Sequence, residues 1–212
     1  MVEKILPSAV CDRAYADADL PLVPNLPRRY VFHDGRAVVA RNVRRDEDAA
    51  VYALMSREVV KGQGYGADEF PSLSVFRRLV LMTEYCVVYE DSTSGDLVGF
   101  SLLADSWYAR NRSGHYGESS TLIVEKYQGR GYGKEVVLLE LMWLRSLGYR
   151  VMLNDALASN YRMRHIAQKS TVVVGVLPNG TYTEGYGWDD QVIGVTDMSA
   201  VDENLPGHLS KL

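Results

Sequence analysis

The order of apolar and polar positions predicts a chain that alternates between strands and helices. Two apolar runs between residues 30 and 43 flank Asp34-Gly35, which is a strong signal for a β-hairpin. Two helices are expected next, because apolar residues recur at intervals of three and four positions. Asp46 is placed to cap the first helix. Pro71 opens the second, which runs to about Met82.

Beyond the second helix, short apolar strands are expected at residues 85–90, 97–104, 117–124, 149–153 and 172–176. The strands at 117–124 and 149–153 flank an almost wholly apolar segment, which predicts a mostly buried helix at 135–147. This strand–helix–strand order makes the two flanking strands a parallel pair. Asn160 heads a shorter helix, and Asn179-Gly180 predicts a turn before a final strand at 191–196. We therefore expect an α/β (α+β) fold with a mixed, mostly antiparallel sheet, rather than a doubly wound sheet.

Proline and charge patterns divide the chain into three parts. Residues 1–29 contain Pro21, Pro24 and Pro27, and prolines at this spacing oppose both helix and central strand. We expect an extended arm there, a single domain at 30–198, and a polar, flexible tail at 199–212.

The composition is that of an ordinary globular protein, with 47% hydrophobic and 24% charged residues among 212. A net charge of −4 opposes a nucleic-acid partner, which requires a basic face. Two cysteines and four scattered histidines show no spacing typical of a disulfide framework or a metal site. No apolar run reaches the length of a membrane span, and no signal peptide is evident at the N-terminus. We expect a cytoplasmic or nuclear protein without a membrane partner.

The most informative stretch is the glycine-rich turn Gln128-Gly129-Arg130-Gly131-Tyr132-Gly133-Lys134, between a predicted strand and the long helix. Glycines let a ligand approach the backbone closely, and the free N–H groups of a first helical turn favour an anion. The spacing does not fit the dinucleotide fingerprint G-x-G-x-x-G. A nucleoside-triphosphate loop needs glycine where Gln128 stands and a hydroxyl where Glu135 stands. Both nucleotide interpretations therefore fail.

The same turn fits Gln/Arg-x-x-Gly-x-Gly/Ala in full, from Gln128 to Gly133. In this it resembles the acyl-CoA-binding motif of the GNAT superfamily of N-acetyltransferases. The order of strands and helices from about residue 37 to residue 197 is also similar to that family. The resemblance implies the GNAT acyltransferase fold, with the parallel strand pair splayed at the CoA site, and acetyl-CoA as the cofactor.

The resemblance also implies cofactor-binding residues. The backbone around Gln128, Gly129, Arg130, Gly131, Tyr132, Gly133 and Lys134 would bind the pyrophosphate. Leu122 and Val124 would offer backbone groups to the pantetheine arm. The segment between Val124 and Gln128 is one residue shorter than the commonest family form, so Ile123 is the alternative to Val124. Asn160 would touch the CoA arm.

Glu118 is the candidate general base, because strand alternation places it on the same face as Leu122. A partly buried glutamate has a raised pKa and accepts a proton near neutral pH. The alternative is an ordinary strand charge that faces solvent, with Ser119 and Ser120 passing the proton through water. Many family members carry a tyrosine as general acid where this chain has Ala167.

Two replacements for the missing tyrosine are open. Tyr186, in a glycine-rich loop, is one candidate for the proton donor. The other follows fungal relatives that acetylate small amino acids and rely on asparagines. Asn154 and Asn160 stand where such a pair would be expected.

The amine is expected to bind among aromatic and acidic residues opposite the glycine turn. The candidates are Tyr65, Trp107, Trp188 and Asp189. Aromatic rings and carboxylates suit an amine or a cation–π contact. The alternative is that Trp188 packs at the edge of the core and that the acidic residues only solvate a hairpin.

These expectations combine into an acetyl-CoA-dependent N-acetyltransferase that acts on a primary amine of a small molecule or amino acid. The alternatives are a protein or peptide N-acetyltransferase, and a catalytically degenerate acyl-CoA-binding sensor, which the alanine at position 167 supports. Because members of the family often dimerise through their last strands, the resemblance also implies a homodimer.

Overall fold

The computed structural model describes residues 14–59, 70–106, 115–168, 171–183 and 185–201. Tyr65 and Trp107, both predicted to bind substrate, lie outside these ranges, as do residues 1–13 of the predicted arm and 202–212 of the predicted tail.

Eight strands form the sheet around which the described residues are arranged. They are β1 (Arg28–Val31), β2 (Ala37–Asn42), β3 (Tyr85–Asp91), β4 (Leu97–Asp105), β5 (Tyr116–Ile123), β6 (Val151–Leu157), β7 (Val172–Thr183) and β8 (Gly187–Asp197). Their order in the sheet is β1-β2-β3-β4-β5-β6-β8-β7. Among the pairings recorded for the described strands, β5 with β6 is parallel and the others are antiparallel. This confirms the predicted mixed, mostly antiparallel sheet.

The helices that connect these strands are α1 (Asp48–Val59), α2 (Leu73–Phe76, continued by a π-turn at Arg77–Leu81), α3 (Tyr132–Ser146) and α4 (Tyr161–Ala167). Side-chain caps explain two of the helix starts. The Ser72 hydroxyl accepts the Val75 N–H, and Asn160 Oδ1 accepts the Met163 N–H at 3.1 Å. The predicted helices are therefore present, with boundaries shifted by a few residues.

The central strands β3 and β4 are buried on both faces, and strand alternation divides the core in two. On β3, Val87 and Tyr89 pack in the cluster that contains α3, whereas Cys86 and Val88 pack in the cluster that contains α1 and α2. Cys86 is thus a core residue, as the sequence predicts, and burial raises the pKa of its thiol. We refer below to the α3 face and the α1/α2 face of the sheet.

The predicted turn at Asn179-Gly180 is wrong. The strand continues through this point as a bulge, with Asn179 at a φ of 49° and its N–H donated to Asp190 Oδ1 at 2.9 Å. The chain reverses instead between Thr183 and Gly187, where Gly185 has a φ of 81°. Asn-Gly favours a bulge as well as a turn because both need a left-handed residue, so the dipeptide alone did not decide between them.

Part of the predicted extended arm is folded against the domain. Residues 14–17 form a helical turn, and Tyr15 is buried in the cluster that contains α1 and α2. The guanidinium groups of Arg45 and Arg77 lie 5.0 and 5.1 Å from the centre of its ring. The domain boundaries at residues 30 and 198 stay predictions.

Candidate active site

The glycine turn lies at the N-terminus of α3, as predicted. Gly129 and Gly131 have φ values of 73° and 82°, a conformation that residues with a side chain rarely adopt. Gly131 is the N-cap of α3 and has no side chain to accept the first N–H groups of the helix. Arg130 and Lys134 are both exposed. The turn therefore combines backbone donors with positive charge, which suits a phosphate group.

The β1–β2 turn supports the glycine turn from one side. The His33 N–H donates to Glu135 Oε1 at 2.8 Å, and His33 Nδ1 lies 3.0 Å from Glu135 Oε2. A Cβ on Gly131 would stand 3.0 Å from His33 Cε1. Asp34 accepts a hydrogen bond from the Tyr132 hydroxyl. The glycine at position 131 is thus required by its neighbour as well as by its φ.

Helix α4 and the end of β5 support the turn from the other side. A Cβ on Gly133 would lie 3.2 Å from Cδ1 of Ile166 on α4. The Gln128 side chain donates through Nε2 to the Ile123 carbonyl at 2.8 Å. Gln128 is therefore the residue that fixes the turn against the end of β5, which gives a physical reason for a glutamine at the first position of the motif.

An opening lies directly beside the turn, where β5 and β6 separate. The parallel pairing covers Tyr116, Gly117 and Glu118, opposite Val151 to Leu153. Beyond this point β5 continues paired to β4, and β6 continues paired to β8. Residues 119–123 and 154–157 therefore form the two walls of an opening, which is the splayed strand pair that the family fold predicts.

Hydrogen bonding to β4 decides which backbone groups of β5 face the opening. The Val124 N–H donates to the Val98 carbonyl, and the Ser106 N–H donates to the Tyr116 carbonyl, both at 2.9 Å. Even-numbered residues of β5 therefore point their backbone groups at β4. By alternation, Ser119, Thr121 and Ile123 point theirs at the opening. This favours Ile123 over Leu122 and Val124 for backbone contact with a ligand in the opening, through its N–H, because its carbonyl accepts from Gln128 Nε2.

The site fits the cofactor that the resemblance implies. A pyrophosphate matches the uncapped N-terminus of α3, and an extended amide-containing arm matches a strand edge whose backbone groups point away from β4. Asn160, at the head of α4, stands at the far side of the opening and uses its Oδ1 to cap that helix.

Glu118 lies at the point where the opening begins. It is half-buried, accepts a hydrogen bond from the Ser106 hydroxyl, and shares the α1/α2 face with Ser120 and Leu122. Ser119, the other predicted proton carrier, points to the α3 face and donates to Glu140 Oε2 at 3.0 Å. The structure thus brings Glu118 and Ser120 to one face and places Ser119 on the other.

Asn154 lies on the α3 face, which is the opposite face from Glu118. It has the same strand parity as Met152, which packs with α3. Its Nδ2 donates to the hydroxyls of Thr171 and Thr196, both at 3.2 Å. The two predicted catalytic side chains therefore do not meet across the opening.

Three of the predicted site residues lie at the β7–β8 reversal. Tyr186 and Trp188 are 62% and 65% exposed, and Trp188 makes an edge contact with Tyr182. Asp189 Oδ2 accepts the Ser159 N–H at 3.1 Å, and hydrogen bonds from Ser159 hold the pKa of this carboxyl below its ordinary value. The reversal lies past the end of β6, on the side of the sheet where the opening widens.

Sequence reasoning missed two side chains that shape this site. One is His33, which pairs with Glu135 from 102 positions away. The other is Glu140, a buried glutamate in α3. The sequence contained an indication of Glu140, because a lone acidic residue in the middle of an almost wholly apolar helix needs a polar partner when it is buried.

The described residues contain no candidate for a metal centre or a membrane-spanning helix. No group of three or more potential metal ligands occurs among them. In the same part of the chain, no helix combines the length and the apolar character needed to cross a membrane.

Comparison with known proteins agrees with this geometry. The model of the acetyltransferase (GNAT) family matches residues 50–170. No curated protein sequence matches the chain.

Several solved structures share the fold. A GCN5-related N-acetyltransferase from Kribbella flavida is 17% identical, with a TM-score of 0.66 over 76% of this chain and 97% of that one. The yncA protein of Salmonella typhimurium, solved with its cofactor acetyl-CoA, is 17% identical, with a TM-score of 0.64 over 80% and 96%. Spermidine N-acetyltransferase from Vibrio cholerae, solved with CoA and spermine, is 17% identical, with a TM-score of 0.64 over 76% and 96%. Because the family model covers more than half of the sequence, this chain belongs to the GNAT acetyltransferase family.

Proposed function

We propose that the protein is an acetyl-CoA-dependent N-acetyltransferase that acts on a primary amine of a small molecule. The observation that carries the proposal is the opening between β5 and β6, placed directly beside the glycine turn at the N-terminus of α3. The glycine turn suits a pyrophosphate and the opening suits an extended arm, and acetyl-CoA contains both groups. Its family uses this cofactor.

The residues that would hold the cofactor follow from the geometry of the turn and the opening. The first N–H groups of α3 and the backbone from Gln128 to Lys134 would bind the pyrophosphate, with Arg130 adding charge. The N–H of Ile123 would bind the arm, and Asn160 would line its other side. When bound, the cofactor supplies an acetyl thioester from which the acetyl group passes to the amine nitrogen.

Glu118 is the residue that we propose as general base. A primary amine is mostly protonated at neutral pH, so it must lose a proton before its nitrogen can react. Glu118 is positioned at the start of the opening and is oriented by the Ser106 hydroxyl. It accepts the proton directly or through a water molecule at Ser120. Asn154 is committed to two threonines on the other face, so its role would be to hold β6 in place.

Tyr186 is the candidate for the proton donor to the sulfur. It is exposed at the β7–β8 reversal, past the end of β6. Trp188 and Asp189, in the same reversal, would form one wall of the amine site. A small amine is favoured over a peptide because spermidine N-acetyltransferase from Vibrio cholerae is a structural neighbour, in two solved structures.

The proposed reaction is tested by thiol release from acetyl-CoA in the presence of polyamines, amino acids and a lysine-containing peptide. Turnover with a small amine supports the proposal, and mass spectrometry of the product should show one added acetyl group on nitrogen. Turnover with the peptide alone would instead indicate a protein N-acetyltransferase. Binding of acetyl-CoA without turnover on any amine would indicate a sensor. Absence of acetyl-CoA binding would contradict all three.

We further propose a homodimer through β7. This strand is the last in the sheet order and exposes aliphatic side chains, which strand alternation directs to both faces: Val172, Val173, Val174, Val176 and Leu177. An edge strand with free backbone groups and apolar side chains readily pairs with another chain. A second copy of the same strand would cover both the free backbone groups and the apolar side chains.

Charge placed on these aliphatic residues of β7 is expected to separate the two copies. Replacing Val174 and Val176 by lysine puts like charges at the proposed interface, which opposes strand pairing. Light scattering coupled to size-exclusion chromatography should then show a shift from dimer to monomer. Leu22→Lys is the control, because Leu22 is equally exposed but lies outside β7. A wild-type protein that is already monomeric at micromolar concentration would contradict the dimer.

A further inference from the structure

Glu140 is a wholly buried carboxyl group in the middle of α3. It points from the helix into the sheet, among side chains of β4 and β5. Burying a carboxyl group is costly unless its oxygens receive hydrogen bonds. Burial raises the pKa of this carboxyl above its ordinary value, although three hydroxyl groups oppose the rise.

Hydrogen bonds to Glu140 come from two adjacent strands. Ser101 on β4 and Thr121 on β5 donate their hydroxyls to Oε1, and Ser119 on β5 donates to Oε2 at 3.0 Å. The Tyr89 hydroxyl extends the network, 2.6 Å from the Ser101 hydroxyl. One carboxyl group therefore connects α3 to the two strands beneath it.

The partners on β5 are the residues whose backbone faces the opening. Ser119 and Thr121 have odd numbers, and odd-numbered residues of β5 point their N–H and C=O groups away from β4. Their side chains are fixed by Glu140 on the α3 face, so their peptide groups have a fixed orientation at the edge where β6 has separated. The same helix supplies the uncapped N-terminus at the glycine turn.

From this we infer that Glu140 is a positioning residue for acyl-CoA: it sets the β5 edge at a fixed distance and orientation relative to the N-terminus of α3. These are the two parts that the proposed function assigns to the arm and the pyrophosphate, so the inference rests on that proposal. Directional bonds from Ser119 and Thr121 to Glu140 add an orientation that apolar packing between α3 and β5 does not specify by itself.

The test compares binding with stability in two variants. Glu140→Leu removes the acceptor, and Glu140→Gln keeps the shape and one acceptor oxygen. We expect acetyl-CoA to bind about tenfold more weakly to the leucine variant, equal to one or two lost hydrogen bonds, and the glutamine variant to lie between it and the wild type. Affinity is measured by isothermal titration calorimetry, and stability by thermal denaturation. All titrations are made well below the melting temperature of each variant.

Leu141→Ala is the matched control. Leu141 is the next residue of α3 and is also buried, but it belongs to the apolar cluster and does not bond to β5. The cavity should lower the melting temperature without changing the dissociation constant for acetyl-CoA. A purely structural role for Glu140 would give the same pattern, with lowered melting temperature and unchanged affinity, and would overturn the inference.

Coupling between Glu140 and Thr121 gives a second readout. Thr121→Val should weaken acetyl-CoA binding in the wild-type background and have little further effect in the leucine background, because Glu140→Leu has already removed the acceptor of the Thr121 hydroxyl. Equal effects in both backgrounds would contradict the inference. Failure of the wild type to bind acetyl-CoA would instead contradict the proposed function, so the two failures are distinguishable.

Discussion

Gly131→Ala is expected to reduce the affinity for acetyl-CoA by about a hundredfold, because it disturbs two or more charge-assisted hydrogen bonds from the turn. The φ of 82° costs a residue with a Cβ about 1–2 kcal/mol. The new methyl group would also stand 3.0 Å from His33 Cε1, in a ring that Glu135 holds in place. The turn must shift to relieve both, and its N–H groups then no longer converge on a phosphate.

The control for this variant is at the other end of the same helix. Gly148 has a φ of 95°, and a Cβ added there would meet no atom within 4 Å, so Gly148→Ala has the backbone strain without the contact at the site. Calorimetric titration should show unchanged acetyl-CoA affinity for Gly148→Ala. Its loss of thermal stability should be similar to that of Gly131→Ala. Equal affinities for the two variants would contradict a phosphate site at the turn.

The glycine turn could be predicted from the sequence because its requirements are local. A strand, three glycines and an apolar helix occupy consecutive positions, and each leaves its mark within a few residues. The spacing from Gln128 to Gly133 excludes the nucleotide loops by counting alone. The same locality explains why the β-hairpin at Asp34-Gly35 was predicted and formed.

Long-range contacts could not be predicted in this way. His33 meets Glu135 across 102 positions, and no pattern near either residue indicates the other. The choice of Ile123 over Val124 depends on which edge of β5 is bonded to β4. That follows from the register of two strands, which a single sequence does not specify.

Two acidic residues show how alternation separates their roles. Glu118 on β5 points to the α1/α2 face, half-buried at the start of the opening. Glu140 on α3 reaches β5 from the opposite face and bonds to Ser119 and Thr121. One strand thus has a carboxyl group on each side. We assign the partly exposed one to proton transfer and the buried one to positioning, because only the first has access to a substrate.

Glu118→Gln is expected to lower kcat by roughly 100- to 10,000-fold, the range usual for loss of a general base. The amide keeps the size of the side chain and its ability to accept from the Ser106 hydroxyl, but it does not accept a proton from an ammonium group. The dissociation constant for acetyl-CoA should stay unchanged, because the pyrophosphate and arm contacts lie elsewhere. Thiol release at saturating amine measures kcat, and calorimetry measures cofactor binding.

Two further variants make this result specific. Glu90→Gln, on β3, removes a half-buried carboxyl group that binds Arg41 far from the opening, and kcat should not change. Ser106→Ala removes the hydrogen bond that orients Glu118, so kcat should fall by about tenfold or less, the value of one hydrogen bond. If Glu118→Gln retained wild-type turnover across neutral pH while acetyl-CoA still bound, Glu118 would not be the base, and the proton would have to leave through Ser120 and solvent instead.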